Sequence, residues 1–101
     1  MENERIRIKV SNEFRSLIPE YLKNRHEDIT AIREFLKHGN FNGIQTIGHR
    51  MKGTGSSYGF DQITLIGERL ERAAKEKSAD TVRKAAVDLS EFLERLEVSY
   101  E

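Results

Sequence analysis

His49, Lys52 and Gly53 supply a nucleophile, a cation one helical turn later, and a gap beside both. An imidazole changes charge near neutral pH, so a neutral form is available to attack phosphorus, act as a general base or bind a metal. The local sequence favours the first of these. No Asp or Glu stands at 45, 46, 52 or 53 to orient the ring as a base in the manner of a catalytic triad. No second histidine lies three or four residues away, and the Glu-x-x-His pattern of di-metal bundles is absent from the sequence. Lys52 is placed to neutralise a phosphoryl group on the imidazole, and Gly53 removes the side chain that would crowd it. His38, four residues after Glu34, reads as a surface ion pair near a helix C-terminus. His26 reads as a solvated residue.

These residues need a helix that turns His49 outward. Ile44, Ile47, Met51 and Tyr58 recur at helical spacing and share one face. His49 lies two residues from both Ile47 and Met51, so at ~100° per residue it points away from that face, toward water. Asn40 is a cap for this helix, which starts at Phe41. Gly53 and Gly55 each cost ~1 kcal/mol relative to alanine in a helix interior. Propensity alone would stop the helix near Lys52, with Gly53 as its C-cap. The apolar period carries it on to Ser57, with Gly59 as the stop, and that is the expected course.

The other elements follow from the same signals. Residues 5–10 alternate charged and apolar, a strand-like period of two. With no second strand candidate, an extended arm laid on the helices is expected rather than a sheet within the chain, the alternative being pairing with a second copy or a neighbouring domain. Ser11 or Asn12 caps a short turn containing Phe14 and Leu17. A helix over 18–38 places Pro19 in its first turn and ends at Gly39 in a left-handed stop. Asp61 is expected to cap a third helix over 62–77, with Ile63, Ile66, Leu70 and Ala73 inward. Glu68–Arg72 and Glu71–Lys75 would be its surface pairs. Ser78 is expected to cap a fourth helix over 79–98, with Val82, Ala85, Ala86, Leu89, Leu93 and Leu96 as its stripe. Short connections make successive helices antiparallel neighbours. The expected fold is all-α: an up-down-up-down four-helix bundle over 11–101 with an N-terminal arm over 1–10.

Composition narrows the function classes. A chain of 101 residues, 37% hydrophobic and 34% charged, suits one soluble helical domain with solvated outer faces. Seventeen Lys and Arg balance seventeen Asp and Glu, so no net field attracts nucleic acid or an anionic membrane, and neither is an expected partner. The lack of cysteine excludes disulfides, thiolate metal sites and a cysteine nucleophile. No apolar run approaches the ~20 residues of a membrane span, and the first residues carry no signal-like stretch. The expected location is cytoplasmic and the expected state a monomer.

The segment His49-Arg50-Met51-Lys52-Gly53, followed by small residues and Tyr58-Gly59-Phe60, resembles the histidine-containing phosphotransfer (HPt) domain. Its pattern is His-x-x-Lys-Gly, with a small residue before the histidine (Gly48) and a glycine some ten positions later (Gly59). Leu17-Ile18-Pro19, Asn24-Arg25, Asp28-Ile29 and the Leu-Glu-Arg-Ala-Ala run at 70–74 extend the resemblance over most of the chain. The arm at 5–10 departs from it. The resemblance implies a phosphorelay intermediate. His49 would accept a phosphoryl group through Nε2 from a receiver aspartyl phosphate or a kinase, and pass it to a response-regulator aspartate. Lys52 would stabilise the group, while Gln45, Gly48, Arg50, Gly53 and Ser56 would form the receiver docking surface. The chain would be a carrier and not an enzyme. It would need no cofactor of its own, since Mg²⁺ would sit in the partner receiver. The competing class is a helical adaptor or inhibitor that binds a sensor kinase or receiver without carrying phosphate, and such a module has no need of His49.

Overall fold

The computed structural model describes residues 4–101. Pro19 and Gly39 bracket the first long helix, α1 (Ile18–Lys37). Proline suits the first turn because its missing N–H is not needed there. Gly39 takes φ +67°, the left-handed geometry that ends a helix without a side-chain penalty. Asn40 then caps α2 (Phe41–Thr54), its side-chain oxygen accepting from the Gly43 N–H at 3.0 Å. The helix runs through Gly53 as expected. Its α-geometry ends at Thr54, and residues Ser56–Tyr58 continue as a single 3-10 turn before Gly59 stops the chain at φ +97°.

α3 (Asp61–Lys75) follows, with Ile63, Ile66, Leu70 and Ala73 buried as their spacing predicts. Its cap differs from the expectation. Phe60 occupies the capping position without a side-chain bond, and Asp61 is already in the first turn, where its charge suits the helix dipole. Phe60 is fully buried, so packing rather than a polar cap sets this helix entry. Ser78 does precede α4 (Ala79–Arg95), but its hydroxyl bonds the Thr81 hydroxyl and not a backbone N–H.

The four helices form the expected bundle. Tyr21 near the start of α1 bonds Thr54 at the end of α2 (2.9 Å), and Lys52 late in α2 accepts from Thr64 early in α3 (3.2 Å). The first contact sets α1 and α2 antiparallel, and the approach of Gly48 to Glu71 and of Gly67 to Lys52 does the same for α2 and α3. The core is a single cluster that includes Ile32, Ile44, Met51, Phe60, Ile63, Leu70, Val82 and Leu89. Full burial of each such side chain contributes about 1.5–3 kcal/mol before the entropy of ordering is counted. Among the described residues, no helix is long and apolar enough to cross a membrane.

The ends of the chain depart from the expectation. Residues 5–10 are not an unpaired arm, and α4 does not reach 98. β1 (Ile6–Val10) pairs in parallel with β2 (Leu96–Tyr100), in the register Ile6↔Leu96 to Val10↔Tyr100. Leu96 is extended (φ −71°, ψ 133°), so α4 ends at Arg95. Leu96, Val98 and Tyr100 alternate with Glu97 and Ser99, as Ile6, Ile8 and Val10 alternate with Arg7 and Lys9. The apolar faces of both strands therefore turn to the bundle together. Arg7 and Glu97 pair across the outer face at 3.3 Å. The arm as expected also included residues 1–3, which lie outside the described residues.

Candidate functional site

The geometry around His49 begins with two glycines. Gly48 on α2 and Gly67 on α3 meet where the helix backbones touch. A Cβ on Gly48 would lie 2.7 Å from the Glu71 nitrogen and 2.8 Å from the Gly67 carbonyl. A Cβ on Gly67 would collide with the Lys52 nitrogen and lie 2.7 Å from the Gly48 carbonyl. Gly48 and Lys52 form one i, i+4 row, and Gly67 and Glu71 form the facing one. The close crossing brings a side chain from α3 within reach of the outer surface of α2.

That side chain is Glu71. Its Oε2 lies 3.0 Å from His49 Nδ1, and its Oε1 lies 2.7 Å from Lys52 Nζ. The three side chains are unequally exposed: 69% for His49, 38% for Lys52 and 13% for Glu71. The Lys52 ammonium bonded to Glu71 holds its carboxyl below the ordinary value of 4.5. Partial burial opposes this and the His49 bond adds to it. An ionised carboxylate can only accept, so in this bond the proton resides on Nδ1. In the neutral ring Nε2 then carries the lone pair.

Glu71 is the site residue that the sequence reading missed. Spacing pairs Glu71 with Lys75 on its own helix, and no carboxylate lies within one turn of His49 on α2. The faint signal is Gly67, a helix-weakening residue one turn before Glu71 and beside the buried stripe.

Gly53 lies beside His49 on the exposed surface, and a Cβ there would meet nothing within 4 Å. Gly55 is different: a Cβ would lie 2.6 Å from the Thr64 nitrogen, so this glycine serves packing of α2 on α3. Gln45 is half-buried and lines a shallow groove of about 490 Å³ with Asn42, Thr46, His49 and Glu71. Arg50 is exposed on the flank toward α1, where its charge acts on Asp28. Burial raises the Asp28 carboxyl above its ordinary value of 3.8, while Arg25 at 2.8 Å pulls it down. Ser56 is exposed, with both its N–H and hydroxyl donating to Thr64 Oγ1 (2.8 and 3.0 Å). Gly48 is a correction. It is buried in the helix crossing, so it belongs to the scaffold under the site and not to its outer face. His38 bonds Glu34 at 3.0 Å and His26 is exposed, as expected.

Fold and site together define a four-helix bundle that presents the His49 imidazole, oriented by Glu71 from a neighbouring helix and flanked by Lys52, to solvent. A family model for the Hpt domain matches residues 16–99, and the chain belongs to that family. Hpt domains are phosphocarrier modules of two-component signalling that interact with receiver domains and kinases. Comparison with curated proteins and with solved structures returned no match.

Proposed function

We propose that this chain is a phosphorelay intermediate in which His49 carries the phosphoryl group between a donor and a response-regulator aspartate. The observation that carries this reading is the Glu71 carboxylate on His49 Nδ1, which leaves Nε2 as the outward nucleophile. Nε2 attacks the phosphorus of an aspartyl phosphate on a receiver domain. An N–P bond forms, the P–O bond to the aspartate breaks, and the aspartate leaves as a carboxylate. The phosphorylated ring retains its proton on Nδ1 and so gains positive charge, which the Glu71 carboxylate stabilises. Lys52, held one turn away, offers its ammonium to the phosphoryl oxygens. Gly53 and the exposed ridge around His49 leave room for the receiver's pocket, and Gln45, Arg50 and Ser56 border the contact. Mg²⁺ belongs to that receiver, so this chain needs no metal of its own. Passing the group to a second aspartate is the same step reversed.

The test is incubation with a receiver carrying labelled aspartyl phosphate. Acid-labile, base-stable label should appear on the wild-type chain and be lost in His49→Gln. Transfer to His49→Gln at the wild-type rate would place the phosphoryl group on another residue, and a wild-type chain that binds the receiver without gaining label would leave a docking role.

A further inference from the structure

Among the described residues, the outer edge of β2 is unpaired, and its residues complement themselves. Glu101 donates to the Val10 carbonyl (3.2 Å) and accepts from the Asn12 N–H (2.8 Å). In a parallel pair the bonding direction alternates, so Glu97 and Ser99 bond toward β1 while the backbone groups of Val98 and Tyr100 point away from it. The Leu96 carbonyl points the same way. Among the described residues, no backbone group outside the ribbon bonds to Val98 or Tyr100. The edge of β1 is not equivalent. Its Lys9 carbonyl faces Gly59, 3.9 Å from where a Cβ there would lie, and Arg7 and Lys9 are the cations that commonly guard an edge. The Leu-Glu-Val-Ser-Tyr segment of β2 has no proline and no lysine.

We propose that β2 pairs antiparallel with β2 of a second copy about a two-fold axis at Val98, giving a four-stranded sheet. Only registers that set outward-facing groups opposite each other can bond, which leaves three with substantial overlap. Centring on Glu97 sets two carboxylates face to face. Centring on Ser99 sets Glu97 against Glu101 of the other copy. Centring on Val98 sets Glu97 against Ser99 and Leu96 against Tyr100. Like charges directly opposite destabilise a strand pair, so charge selects the third register. In it, the two Val98 residues exchange both backbone bonds, and each Tyr100 N–H reaches the Leu96 carbonyl of the other copy. The half-buried Leu96, Val98 and Tyr100 side chains gain apolar neighbours on the bundle side of the sheet. The state expected from the sequence is a monomer. The ribbon supplies an edge that changes it, independently of the role of His49.

Sedimentation equilibrium tests this. The wild-type chain should show a concentration-dependent monomer–dimer equilibrium. Ser99→Glu sets a carboxylate against Glu97 of the other copy twice and should raise the dissociation constant at least tenfold. Ser99 is exposed, so the melting temperature of the dilute chain should stay the same. The chain has no cysteine, and non-bonded antiparallel pairs bring Cα atoms to about 4.5 Å, within disulfide range. Glu97→Cys with Ser99→Cys should therefore oxidise to a covalent dimer. A chain that stays monomeric across the accessible concentration range would overturn the proposal. So would a dimer of unchanged affinity in Ser99→Glu, or a double-cysteine variant that forms no covalent dimer.

Discussion

Glu71 holds two partners at once, and that sharing sets what substitutions at the site should do. Glu71→Gln keeps the shape but removes the charge that favours a proton on Nδ1 and that, in the proposed relay, stabilises the phosphorylated ring. Transfer from a phosphorylated receiver should slow by about tenfold or more. An unchanged rate would show that the carboxylate only packs. Lys52 is not the freely solvated residue that its sequence position suggests, because it is bound to a mostly enclosed carboxylate at 2.7 Å. Lys52→Ala should therefore lower the melting temperature as well as slow transfer, and Lys52→Arg should restore more of the stability than of the rate. Thermal melts and transfer assays on both variants check this. The direction of His49 was legible from helical periodicity, since it depends only on residues within one turn. Glu71 was not, because its reach to His49 depends on how α3 crosses α2. That crossing is set by Gly48 and Gly67, which are 19 positions apart in sequence.

At the scale of elements, glycines in one pair of helices should respond oppositely to alanine. Gly53 is helical with open space around it, so Gly53→Ala should stabilise by up to ~1 kcal/mol from propensity alone. For a domain of this size that is a rise of roughly 4–8 °C in melting temperature. Gly67→Ala should destabilise, because the new Cβ would meet the α2 backbone and force the helices apart. A destabilised Gly53→Ala would contradict a helix continuous through that residue. Gly53→Glu should fold with normal helical content and transfer poorly, since it adds bulk and negative charge where the proposed relay has a receiver approach. The helix boundaries that rest on local signals were readable: Pro19, Gly39, Asn40 and Gly59 act where the sequence places them. The end of α4 was not. Leu96 continues the Leu89–Leu93 stripe as well as it begins the Leu96–Val98–Tyr100 alternation, so periodicity fits both. The deciding partner, β1, lies 90 positions earlier.

For the whole molecule, the His49–Glu71–Lys52 cluster links stability to pH. The Glu71 carboxyl titrates lower in the folded chain than its ordinary value of 4.5, so folding favours its ionised form. That contribution is complete above 4.5 and fades as pH falls through the lower folded value. The melting temperature of the wild type should exceed that of Glu71→Gln at neutral pH, and the gap should narrow as pH falls below 4.5. A gap independent of pH would mean that the charge of Glu71 is not its source. The bundle itself was legible because each helix declares its own apolar stripe, whereas the ribbon joining the ends of the chain is a non-local pairing. The central claim is that Glu71 occupies Nδ1 and leaves Nε2 of His49 to carry phosphorus. Nitrogen–phosphorus coupling in the NMR spectrum of the isotope-labelled, phosphorylated chain reads that atom directly. The account predicts coupling to Nε2 of His49 alone, and phosphorus on Nδ1 of His49, or on His26 or His38, would contradict it.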